Sequence, residues 1–145
     1  MDAAGILTTL STANMQEIQE AKYARNHSNN AAVKSLARKL ETDHTANLQK
    51  GRQLADKLGV SQRLPTDSAQ TNAAPAQLQG LQGAALDSAF VAYQAEAHRG
   101  NIDRIRSQMI PAARDAQLKQ YLQQTVTAME GHLRQIQQVE GQLGH

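Results

Sequence analysis

The sequence predicts an all-α protein: a four-helix bundle made of two antiparallel helical hairpins joined by a long crossover connection. Three observations predict it. Alanine and glutamine are abundant, while 145 residues hold only 9 Gly and 3 Pro, the composition of a helical chain. Apolar residues recur at a helical period in four long stretches. Two of the three breaks between those stretches are short, and the third is long, which suits paired helices with one crossover.

The first helix is expected over about 3–26, with Leu7, Leu10, Asn14, Glu17, Ile18, Ala21 and Ala24 on one stripe. "NHSNN" (Asn26 to Asn30) follows, rich in capping and turn residues. The second helix covers 31–58 through Val33, Leu36, Ala37, Leu40, His44, Leu48, Ala55 and Leu58, and Gly59 stands where a left-handed cap is expected. The long connection spans 60–83, with Pro65, Pro75 and the polar run "TDSAQTNAAPAQ". The third helix, 84–109, turns Leu86, Phe90, Val91, Tyr93, His98, Ile102, Ile105 and Met109 inward, and Pro111 marks a break or kink. The fourth, 114–142, carries Leu118, Leu122, Met129, His132, Ile136 and Val139. One domain, 1–145, accounts for the whole chain, a length that supports one continuous core.

Composition also narrows the function. Fifteen basic residues are interleaved with thirteen acidic ones, for a formal charge of +2, so no stripe tracks phosphates. With 3% aromatic residues there is little to stack bases on, and nucleic acid is set aside as a partner. There is no cysteine, which removes disulfides, thiolate metal sites and thiol catalysis. No window is apolar enough to span a bilayer, and "MDAAGILTTL" shows no signal peptide. Neither a phosphate loop nor a nucleophile elbow is present, so only a metal would make catalysis credible and an enzyme is not the expected reading.

The informative residues interrupt the apolar stripes. His44, His98 and His132 each occupy an inward position near the middle of a different helix, and the first helix contributes Glu17 in phase with Leu10 and Ala21. His27 lies in a turn and His145 is last, both expected in solvent. A single inward histidine is ordinarily a core residue satisfied by one hydrogen bond. Three of them with an inward acid point instead to mutual contact, because each unpartnered buried polar group costs about 1–3 kcal/mol. Either they form a hydrogen-bonded network, giving a metal-free interaction or stress-protective module, or they bind a transition-metal ion such as zinc, iron or copper. Convergence also requires common height: His98 and His132 match only if the turn between their helices is centred near 113–115.

Glu41, three residues before His44, shares its face and is a lesser candidate ligand, as is Glu20. The corresponding position before His132 is Met129, so the paired Glu-x-x-His of di-iron carboxylate sites is incomplete and a mononuclear site fits better. Glu96 and Glu130 precede a histidine by two, about 200° around the helix, and are expected to face outward. Asp43 and Asn47 flank His44 and could orient its ring. A third reading makes Val60 to Ala85 an arm that recognises a protein partner.

"NMQEIQEAKYA", "AAVKSLARKLETDHTANLQKGRQLADKLGV", "LQGAALDSAFVAYQAEAH" and "EGHLRQI" together resemble the bacterial family of domain of unknown function 4142. The resemblance runs from about Ile6 to Val139. It implies a ferritin-like, exported, periplasmic bundle with His44, His98, His132 and Glu17 or Glu20 as characteristic positions. It implies no established reaction, and the single Glu-x-x-His argues against carrying over iron storage.

Overall fold

A computed structural model describes residues 1–65 and 74–144. Four long helices dominate: α1 (Ala3–His27), α2 (Ala31–Leu58), α3 (Gly83–Arg104) and α4 (Ala116–Gln142). Side chains that satisfy the otherwise orphaned first-turn amides set three of the starts. Asp2 accepts from Gly5 N, Asn30 from Ala32 and Val33 N, and Asp115 from Gln117 and Leu118 N. Gly59 ends α2 in the left-handed conformation, φ 69°, that a side chain would disfavour.

Around Pro111 the rod is distorted, not broken. The α3 rod continues through a widened π turn, Ile105–Met109, into a last helical turn, Ile110–Ala112. Proline has no amide hydrogen and its ring collides with the carbonyl four residues back, so the extra residue in the turn ahead of it relieves the clash. The chain breaks at 113–115, and Asp115 caps α4 there. That is the placement that brings His98 and His132 to one level.

Two apolar clusters occupy the ends of the bundle. One gathers Ile6, Leu7 and Leu10 with Ala55, Ile102 to Met109 and Leu118 to Met129. The other gathers Ala21 and Ala24 with Val33 to Leu40, Leu86 to Ala95, Ile136 and Val139. Each helix therefore runs from one cluster to the other: α1 and α4 in one direction, α2 and α3 in the reverse. Because α2 ends at the cluster opposite to the one where α3 begins, the connection must travel the length of the bundle. A helix of 28 residues spans about 42 Å at 1.5 Å per residue. Where described, the connection follows α1. Gln62 donates to Ser11 Oγ, the Arg63 amide to Thr8 Oγ1, and Gln77, in a short 3₁₀ turn (Ala76–Leu78), to Glu20. Residues 66–73 of the expected connection, and His145, lie outside the described residues.

Between the clusters lies a polar layer, with Asn14, Glu17, His44, Gln94, His98, Thr125 and His132 all buried. Gln94, not the expected Tyr93, is the fully buried residue of its turn, and Tyr93 is half-buried.

Candidate metal centre

The three inward histidines meet. The His44, His98 and His132 ring centroids form a nearly equilateral triangle, with sides of 5.4, 5.4 and 5.5 Å. Each ring can offer one nitrogen so that the three lie within 4.8 Å of one another. All three residues are at most 5% exposed.

The opposite nitrogen of each ring is occupied. His98 Nδ1 donates to the Gln94 carbonyl, one turn earlier, at 2.9 Å. His132 Nε2 donates to Asp43 Oδ2 at 2.7 Å. His44 Nδ1 lies 2.9 Å from Asn14 Oδ1, and a backbone carbonyl two helices away dictates the sense of that bond. Thr125 Oγ1 donates to the Tyr121 carbonyl, which can only accept, at 2.8 Å. Thr125 therefore accepts from Asn47 Nδ2, leaving Asn47 Oδ1 to accept from Asn14 Nδ2 at 2.8 Å. Asn14 then presents its oxygen to His44, whose Nδ1 carries the hydrogen. The Tyr121 hydroxyl clamps the same chain by donating to Asn47 O and Oδ1. Gly51 permits that clamp, since a Cβ there would stand 2.9 Å from the hydroxyl.

With those protons assigned, His44 Nε2, His98 Nε2 and His132 Nδ1 each hold a bare lone pair. These are the buried ring nitrogens left without a partner among the described residues. Three buried lone pairs on adjacent rings repel one another, and a cation held among them removes the conflict. Protonation is the costlier remedy. Burial, and then His98 and His132, push the His44 imidazole well below its ordinary value, and burial and then His132 push His98 down to about 4.

Glu17 differs from its expected place. Its carboxylate stands against the Nδ1 side of two rings, 3.1 Å from His44 and 3.6 Å from His98. That is the side away from the bare nitrogens, so it acts on the rings from behind. Burial and then the charge of Glu20 push its carboxyl up to about 8. Glu20 is taken by Gln77 and Gln94, and burial pushes it also to about 8 despite those bonds. Glu41 is drawn out of the site by Arg25, at 2.8 Å. Asp43 serves His132 on α4 and not the adjacent His44. Burial opposes its ionisation, but its bonds to His132 and Lys39 outweigh that and hold it below the ordinary range. Asn47 reaches His44 only through Asn14. Asn14, Gln94, Tyr121 and Thr125 were missed as site residues, although Asn14 stands on the inward stripe of α1 and Thr125 one helical week before His132 on α4.

The shifts define a pH dependence. Between about 4.5 and 8 the folded protein retains carboxyl protons on Glu17 and Glu20 that the unfolded chain has lost, so their contribution falls as pH rises. Between about 4 and 6.5 the unfolded chain binds imidazole protons that His98 in the fold does not, so that contribution rises with pH. Above 6.5 only the carboxyl effect remains. Chelator-treated protein should lose stability from pH 6.5 to 8, by at most about 1.4 kcal/mol per pH unit per carboxyl, and Glu20→Gln should flatten the slope. Denaturant titrations showing stability level or rising across that window would contradict the assignment.

Comparison with known proteins agrees with this architecture. A DUF305 protein of Streptomyces coelicolor, whose name includes the word secreted, superposes with a TM-score of 0.81 at 16% identity, covering 98% of this chain and 92% of its own. A DUF305 fragment from Deinococcus radiodurans gives a TM-score of 0.81 at 16% identity, covering 97% and 95%. At such identity the likeness is one of fold. No curated protein matches the chain. The model of the family described as Domain of unknown function (DUF4142) matches residues 1–139, and the chain belongs to that family.

Proposed function

We propose that the protein binds one transition-metal ion in its core through His44, His98 and His132, with Glu17, Asn14, the Gln94 carbonyl and Asp43 orienting the rings. The observation that carries this reading is the convergence of three buried histidines, each able to offer a nitrogen so that the three lie within 4.8 Å, with one buried nitrogen on every ring left unpartnered. Imidazole donors suit zinc, copper and iron. Carboxylate and carbonyl partners on the far nitrogens are the usual means of holding a ligating imidazole in its tautomer. Three protein donors leave a four-coordinate ion incomplete. That open position favours reversible metal handling or sensing over a purely structural role.

Zinc, copper or iron added to the chelated protein should raise its melting temperature, by an increment worth about 4.1 kcal/mol at a thousandfold excess over Kd. His132→Ala should abolish the rise, and Asp43→Asn, half-exposed and outside the triad, should weaken affinity by about 10- to 100-fold. No shift with any of the three metals would refute the reading and leave the metal-free network in its place.

We further infer that the protein works outside the cytoplasm. The name of the Streptomyces coelicolor neighbour supports this, and among the described residues no helix is long and apolar enough to cross a membrane. Cell fractionation of the native gene product should find it with periplasmic or extracellular markers, and its recovery with cytoplasmic markers would contradict the inference.

A further inference from the structure

A cavity of about 200 Å³ opens between α2 and α4 and reaches two of the three rings, His44 and His132. Most polar groups in its wall are already committed. Asn14, Asn47, Thr125 and Tyr121 are bound to one another in the chain described above. Asp43 is engaged by His132 at 2.7 Å and by Lys39 at 2.9 Å. The lining groups with no hydrogen bond or ion pair among the described residues are the Lys50 ammonium and the Gln124 amide, both on exposed residues at the mouth. The rest of the lining is Ala46, Ala128 and Met129.

The cavity thus combines a free cation and a free amide at its mouth with the incomplete coordination shell of the triad at its floor. A neutral apolar guest would use neither end. The space exceeds the roughly 30 Å³ share of one water several times over, room for a few heavy atoms but not for a large cofactor. On the far side of the bundle, the cavity between α1 and α3 reaches Glu17 and Glu20 but none of the three rings.

From this arrangement we propose that the α2/α4 cavity admits a small exogenous anion, of carboxylate size, that completes the coordination of the metal held by the triad, with Lys50 neutralising its outer charge. This rests on the metal-binding reading, and cobalt(II) separates the two. Protein loaded with cobalt(II) should show visible absorption that changes saturably on addition of azide or acetate. Lys50→Met should leave cobalt affinity unchanged and raise the half-saturating azide concentration about fivefold, the effect of one unit charge some 4 Å away in water. Ala128→Trp, an exposed substitution at the mouth, should bind cobalt and lose the azide response. A cobalt spectrum indifferent to both anions would overturn this inference and leave the metal site standing. An azide response unaltered in both variants would place the anion elsewhere and also overturn it. Failure to bind cobalt at all would overturn this inference, and together with no melting shift from zinc, copper or iron it would remove the metal reading as well.

Discussion

The centre depends on which nitrogen of each imidazole carries its proton. A neutral imidazole has one donor and one acceptor, so an acceptor placed firmly against one nitrogen turns the other into a lone pair. Here the Gln94 carbonyl, the Asp43 carboxylate and the Asn14 amide oxygen occupy one nitrogen on each of three adjacent rings, and the other nitrogen of each is buried without a partner among the described residues. Buried polar groups are normally partnered. A trio that is buried, mutually adjacent and consistently unpartnered is the feature on which the proposed cation site rests.

The fold supplies the rigidity that such an arrangement needs. An apolar cluster packs the bundle above and below the polar layer, which fixes the spacing of the helices that carry the rings. The proton on His44 is traceable to the Tyr121 carbonyl through Thr125, Asn47 and Asn14, a path that crosses three helices and reverses nowhere. Helix direction matters as well. Because α2 and α3 both run from the second cluster to the first, His44 and His98 descend together, and the break at 113–115 returns α4 so that His132 arrives level with them.

Much of this was legible in the residues. Helical period fixes the direction in which a Cα–Cβ bond leaves its helix, which is why His44, His98, His132 and Glu17 were all assigned inward and all are buried. Loop position fixes height, and the requirement for a turn near 113–115 is met by the Asp115 cap. What period cannot convey is where the end of a long side chain goes. Glu41 shares a face with His44 yet swings to Arg25, Asp43 reaches across to α4, and Glu17 approaches its histidines from the protonated side. Those outcomes depend on side-chain torsions and on partners from other helices. The same applies to Gln94, which supplies its backbone to His98 and its side chain to Glu20.

The most direct measurement is a long-range proton–nitrogen correlation NMR spectrum of the chelator-treated protein, with its histidines labelled with ¹⁵N, at neutral pH. The account predicts three neutral rings in fixed tautomers: hydrogen on Nδ1 of His44 and His98, and on Nε2 of His132. Rings that exchange rapidly between tautomers, or an imidazolium at any of the three positions, would contradict it.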